Sequence, residues 1–281
     1  MNQKSILITG CSTGIGRCVA EGLHRRGYRV FATARKRSDV AELTEAGLEA
    51  LTLDLDTPES IDRALRTVLE KTGGTLDALF NNGAYGQPGA VEDLPREVLR
   101  AQFETNLFGT HDLTTRVIPV MRRQGHGRIL YNSSVLGLIS LPFRGAYNAS
   151  KYALEGLADT LRLELAGTGI HVALIEPGPV TSRFRANAHA MFRRHVDAES
   201  STFRETYAAM ERRLTRPGPA APFTLPPEAV LKRVIHALEA KRPQVRYYVT
   251  FPTYLFATLR RMLPHRGLDW VLRRVSREEN R

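Results

Sequence analysis

The chain has 281 residues, 42% of them hydrophobic and 25% charged, proportions that exclude bulk disorder and allow one substantial core. A formal charge of +11 raises the question of an anionic partner. The arginines gather late, between Arg183 and Arg281, and are not interleaved with aromatics, which argues against nucleic acid.

In chain order, residues 5–9 read as a buried strand, 14–26 as a helix and 28–33 as a second strand, followed by a short helix at 39–46. Strands continue at 48–53, 76–80, 128–132 and 170–175, separated by helices at 58–71, 95–123 and 147–166. This alternation of nearly continuous apolar strands with amphipathic helices predicts an α/β fold. Its form is a single Rossmann-type, doubly wound parallel sheet of about seven strands with helices on both faces. Ligands bind such sheets at the carboxyl ends of the strands. Past Pro177 the composition turns to Arg, Ala, His and Pro, and 182–223 is expected to form an excursion over the sheet. A helix at 227–240 and a last strand at 245–249 complete one domain over residues 1–250, with 251–281 as a basic amphipathic tail. No internal repeat or low-complexity linker is present.

Cys11 and Cys18 stand too close together to staple a domain, and Met1-Asn2-Gln3-Lys4 has no leader-like pattern. Both point to a reducing cytoplasm. The eight histidines are scattered, with no metal-binding spacing, so no metal is expected.

Thr9-Gly10-Cys11-Ser12-Thr13-Gly14-Ile15-Gly16 joins the first strand to the first helix. Glycines there let backbone approach a pyrophosphate, whose charge sits at the helix N-terminus. After the second strand comes Ala34-Arg35-Lys36-Arg37, with no acid before Asp39. A ribose 2′-hydroxyl calls for an acid here and a 2′-phosphate for arginine, so Arg35 puts NADP ahead of NAD. The plainer alternative is a solvated basic turn. Tyr147 and Lys151 stand four residues apart on one helical face. An ammonium beside a phenol lowers the phenol's pKa and makes it a usable general acid/base.

With these motifs the chain resembles the short-chain dehydrogenases/reductases of the single-domain branch, and is similar to their hydroxysteroid and retinol dehydrogenase-like subgroup. The resemblance covers residues 5–182 closely and extends loosely to about 250. It implies that Gly10, Ser12, Thr13, Gly14, Ile15, Gly16, Arg35, Asp54, Asn82, Tyr147, Lys151, Pro177, Val180 and Thr181 hold the cofactor, with Asp54 at the adenine. It makes Asn106, Ser134, Tyr147 and Lys151 the catalytic set. Ser134, rather than its neighbour Ser133, has the family's spacing from the tyrosine, and Asn106 is implied to hold a water in a relay to Lys151. Two departures stand out. Gly83-Ala84 inverts the usual Ala-Gly after Asn81-Asn82, and Thr13 stands where many NADP-using members carry a basic residue.

The implied activity is an NAD(P)-dependent oxidoreductase acting on a carbonyl or alcohol, with a lipophilic small molecule as substrate. A homodimer or homotetramer would assemble on the helices at 95–123 and 147–166. The rival class is a catalytically silent NADP-binding scaffold, although such a protein is expected to lose Ser134, Tyr147 or Lys151. Phe184, Met191, Phe192, Phe203, Tyr207 and Met210 of the lid either line a lipophilic pocket or pack the lid itself. The aromatic tail, interrupted by Pro252, is too short to span a bilayer. It either makes weak contact with anionic lipid or, the plainer reading, packs over the substrate entrance or a subunit interface.

Overall fold

The computed structural model describes residues 3–219 and 221–279. Met1 and Asn2 of the expected domain, Ala220 of the expected lid and Asn280–Arg281 of the tail lie outside the described residues. Seven parallel strands form the sheet: β1 (Ser5–Ile8), β2 (Arg29–Ala34), β3 (Glu49–Thr52), β4 (Ala78–Asn81), β5 (Gly127–Asn132), β6 (Ile170–Glu176) and β7 (Arg246–Tyr248). Their order is β3-β2-β1-β4-β5-β6-β7. Winding therefore reverses between β1 and β4, and a crevice opens above their carboxyl ends.

The two-residue period of a strand divides the core into two layers. Ile6 and Ile8 of β1 face one layer, where Val30 and Ala32 meet Val19 and Leu23 of α1 (Gly14–Arg25). Val230 and Val234 of α9 (Glu228–Glu239) complete that layer, and α2 (Arg37–Glu45) contributes Leu43. Leu7 faces the other layer, with Phe31, Leu79 and Ile129. Helices α3 (Pro58–Thr72), α5 (Gly109–Gln124) and α6 (Gly145–Glu164) cover it with Ile61, Val68, Leu113, Val117 and Leu154. Each fully buried aliphatic side chain contributes about 1.5–3 kcal/mol.

The expected helix at 95–123 is not regular. α4 (Arg96–Phe103) passes into a wide π turn at Glu104–Phe108 before α5 begins at Gly109. The cause is a close approach: a Cβ at Gly109 would lie 1.9 Å from the Leu55 carbonyl oxygen. The widened turn carries Asn106 inward, to 1% exposure, and such bulges recur at functional sites.

Beyond β6, α7 (Phe184–His195) and α8 (Arg204–Thr215) build a small core of their own from Phe192, Val196, Tyr207, Met210 and Leu214. Several hydrogen bonds fasten it to the segment after β4. The Ala90 amide donates to the Tyr207 hydroxyl (2.9 Å), and a ring nitrogen of His195 lies 3.0 Å from Gln87 Oε1. After β7 come α10 (Phe251–Met262) and α11 (His265–Glu279). Their Phe256 and Leu272 pack on Ile139 and Leu141, just downstream of Ser134. No helix among the described residues is long and apolar enough to cross a membrane.

Candidate active site

The glycine loop fits a dinucleotide. Gly10 and Gly14 have φ of 70° and 59°, which a side chain would strain, and a Cβ at Gly16 would lie 2.2 Å from the Gly10 carbonyl oxygen. α1 therefore starts tight against β1. Thr13 at its N-cap makes no side-chain capping bond, and the first turn holds no acid, so the amides remain available to a phosphate. Ser12, Thr13 and Ile15 are half-buried around this opening. A Cβ at Gly14 would lie 2.9 Å from the Ser182 side chain, which brings the segment after β6 against the loop. In that segment the Thr181 amide donates to the Leu225 carbonyl (3.0 Å), and Val180 pairs with Leu225 as an isolated bridge. The buried Pro177 accepts from the Val135 amide (2.8 Å).

Arg35 is exposed at the end of β2 and makes no ion pair among the described residues. Asp54 caps its own turn, accepting from the Asp56 amide at 3.2 Å. Asn82 acts on the loop from behind: its Nδ2 donates to the Thr9 and Gly10 carbonyls (2.9 and 3.1 Å) and its Oδ1 accepts from Asn132 (2.9 Å). Gly83 comes equally close, since a Cβ at Gly10 would lie 2.8 Å from its Cα. The transposed pair thus puts its smaller residue against the glycine loop.

The catalytic candidates converge above β4 and β5. Ser134 begins a short 3₁₀ turn, accepts from the Leu136 amide (3.1 Å) and hydrogen-bonds the Tyr147 phenol. Ser133 Oγ is buried beside Gly137 instead, without a partner among the described residues. The Lys151 ammonium lies 5.7 Å from the centre of the Tyr147 ring and donates to the Asn132 carbonyl (2.7 Å). Asn106 donates to the Tyr85 carbonyl (2.9 Å) and the Ser150 hydroxyl (3.1 Å) and accepts from the Tyr85 amide (3.1 Å). It therefore ties the π turn, the strip after β4 and α6 together.

One expectation needs correction. Lys151 does not draw the phenol down in the chain by itself: burial pushes Tyr147 up to about 12, and the Ser134 hydrogen bond is the opposing influence. The reason is geometric. The ammonium sits over the ring face and is engaged by a backbone carbonyl. Burial lowers Lys151 itself to about 8, opposed by the charge of Glu155 one turn further along α6.

Phe184, the first residue of α7, stacks edge-on against Tyr147 with ring centres 5.3 Å apart. Gly86 makes room for it, because a Cβ there would lie 2.7 Å from the Phe184 ring. The two readings of the lid aromatics divide accordingly. Phe184 borders Tyr147, while Phe192, Phe203, Tyr207 and Met210 pack together beyond it.

The sequence reading missed an ionic cluster directly behind Lys151. Arg246 of β7 pairs with Glu155 and Asp159 of α6 and, at 2.7 Å, with Glu176 at the end of β6. Glu176 is fully buried, and burial together with the charge of Glu155 pushes it up to about 8. The spacing Lys151–Glu155 was a visible signal; the pairing with Arg246 spans 91 residues and gave none.

Comparison with known proteins agrees with this geometry. The family model described as short chain dehydrogenase matches residues 4–192. An uncharacterized oxidoreductase of Escherichia coli strain K12, YbbO, is 44% identical over 270 residues, covering 96% of this chain and 94% of that protein. Human 17-beta-hydroxysteroid dehydrogenase type 1 is 34% identical over 265 residues, 89% of this chain and 78% of its own length. Among solved structures, a short-chain dehydrogenase from Streptomyces avermitilis superposes with a TM-score of 0.78 at 29% identity, covering 99% of this chain and 97% of that one.

Proposed function

The chain belongs to the short chain dehydrogenase family, and we propose that it is an NADP(H)-preferring member that interconverts a carbonyl and a secondary or primary alcohol on a lipophilic molecule. The observation that carries this reading is the hydrogen bond of Ser134 to the Tyr147 phenol, beside a buried ammonium and above a glycine cradle. When bound, the dinucleotide supplies or accepts the hydride. The chain's own residues handle the proton and the charge.

In reduction the phenol, neutral through the physiological range with a pKa near 12, donates its proton to the carbonyl oxygen. Ser134 donates a hydrogen bond to the same oxygen as charge develops there. Oxidation runs the exchange in reverse, with the phenol giving up its proton before it takes the alcohol's, while the Lys151 ammonium stays beside the ring on the Asn132 carbonyl. Asn106 keeps the strip at Tyr85 and the start of α6 in register beneath the substrate. Arg35, free of a carboxylate partner among the described residues, is the group suited to a 2′-phosphate.

Residues 182–223 serve as the substrate lid, with Phe184 as the apolar wall against Tyr147. The steroid named for the human relative matches such a wall in kind. We take the assembly to be a homodimer or homotetramer through α5 and α6, and the free thiols of Cys11 and Cys18 to suit the cytoplasm. Carbonyl-dependent oxidation of NADPH by wild type and Tyr147→Phe tests the chemistry. The variant is expected to lose turnover by about 100- to 10,000-fold while titrating cofactor unchanged; full activity would sink the mechanism.

A further inference from the structure

α10 has two apolar sides. At 3.6 residues per turn, Thr253, Phe256 and Ala257 fall on one side and are buried against the domain. Phe251, Tyr254, Leu255, Thr258 and Met262 fall on the opposite side, and every one is exposed, Met262 at 74%. α11 packs Leu268, Leu272 and Val275 inward on the same cluster and turns Arg266, Arg273, Arg274 and Arg277 outward around Trp270. The Arg274 guanidinium lies over the Trp270 ring at 5.8 Å. Between residues 251 and 277 there are six arginines and one acid, Asp269. A surface helix whose work ended at the Ile139–Leu141 cluster would be polar on its outer side.

A second segment joins this surface. Phe223 is 62% exposed and has a φ of 62°, a left-handed conformation that a bulky side chain adopts at a cost. Its ring centre lies 4.9 Å from that of Phe251. An aromatic held outward in this way, against another exposed aromatic, extends the apolar side of α10 toward the segment that follows α8.

We propose that the outer faces of α10 and α11, together with Phe223, dock this protein on the surface of an anionic phospholipid bilayer. The apolar side chains of α10 enter the headgroup–acyl boundary, and the α11 arginines meet lipid phosphates. Arginine suits that role because its fork bonds phosphate bidentately, and an exposed tryptophan among arginines suits an interface that is apolar below and wet above. Contact is peripheral, since no helix among the described residues can span. A second copy of the chain is the poorer occupant, because a two-fold contact would bring this arginine face against itself. Through Phe223, the last residue of the lid segment, the bilayer would touch the lid where a lipophilic substrate could enter. That last step rests on the function proposed above; the docking does not.

Sedimentation with vesicles tests it, comparing phosphatidylcholine alone with phosphatidylcholine containing phosphatidylglycerol, while Trp270, the sole tryptophan, reports through its emission. The protein is expected to pellet with the anionic vesicles, shift its emission to the blue and release at high salt. Arg266→Gln/Arg273→Gln/Arg277→Gln should weaken partition about 100-fold, at roughly fivefold per arginine. Phe251→Ser/Met262→Ser should also release the protein, and unchanged NADPH titration will show that both variants are folded. A Tyr147→Phe protein that still docks supports the surface independently of the chemistry. Equal binding to neutral vesicles, or variants that bind like wild type, overturns the proposal. So does a dimer in solution that Phe251→Ser/Met262→Ser dissociates, since a second copy then covers the face.

Discussion

Arg246 holds three carboxylates from two elements, and its removal should be the most damaging single change behind the active site. In Arg246→Met the apolar stem keeps its packing, but Glu155 and Glu176 are left without their cation. Each already has one buried oxygen without a hydrogen-bond partner among the described residues, Glu155 Oε1 and Glu176 Oε2. Burial and the charge of Glu155 already favour the protonated form of Glu176 in the native cluster, so more of the new cost falls on the other acid. A stranded buried carboxylate escapes by taking a proton, which at pH 7 costs between about 3 and 4 kcal/mol against an ordinary glutamate near 4.3. That agrees with the ~3–5 kcal/mol typical of breaking a buried pair from one side. Asp159 stays partly solvated and adds little.

For a domain of this size the loss corresponds to a melting shift of about 6–12 °C. Thermal melts at pH 7 and again near pH 4.5 provide the assay. The deficit should shrink to about 1 kcal/mol at the lower pH, where protonating a carboxyl is nearly free and only hydrogen bonds are missing. Glu155→Gln in the Arg246→Met background should restore most of the stability at pH 7. A shift below about 2 °C at pH 7, or a deficit independent of pH, would refute the reasoning.

Arg35→Ala should weaken NADPH by about 10- to 100-fold, the worth of a charge-assisted bond to phosphate, and leave NADH unchanged; equal losses for both in a fluorescence titration would remove Arg35 from the 2′-phosphate. The alcohol-oxidising direction should speed up with rising pH, because a phenol near 12 must lose its proton, whereas carbonyl reduction should stay flat through neutrality. A bell centred below pH 7 in the oxidising direction would contradict the raised phenol. Lys151, lowered to about 8 from 10.5, binds less proton folded than unfolded between those values, so its contribution to stability grows as pH rises through that window. Glu176 has the opposite sign: its contribution is full below 4.5 and disappears as pH rises through about 8. Urea titrations across pH, comparing wild type with Glu176→Gln, separate the acid's part. Gly109→Ala must move the Leu55 backbone or the π turn, and should cost at least about 2 kcal/mol and unseat Asn106; a variant with wild-type stability and turnover would show that the close approach is not needed.

The fold was legible in the sequence because it depends on local periods. Leu7 between Ile6 and Ile8 is enough to say that β1 is covered on both faces, and the glycines after it say where the backbone must pass close. Ser134 came instead from the family resemblance, through its spacing from Tyr147 across the connection between β5 and α6, and not from that logic. It failed where a property depends on what surrounds a side chain. The spacing of Tyr147 and Lys151 suggested a phenol drawn down, but a helical i, i+4 contact fixes only proximity. Which atom the ammonium faces was set by the Asn132 carbonyl fifteen residues before Tyr147, and how dry the phenol is was set by α7 and Phe184 above it. The π turn escaped notice for a related reason. Nothing in the apolar pattern of 95–123 marks a widened turn, and its cause lies in the Leu55 carbonyl, in a different βα unit. The tail divided the same way. Phe256 and Leu272 give it a packed face, but an amphipathic pattern cannot say that α10 has apolar residues to spare on its far side. That surplus appears only once the inner face has been satisfied.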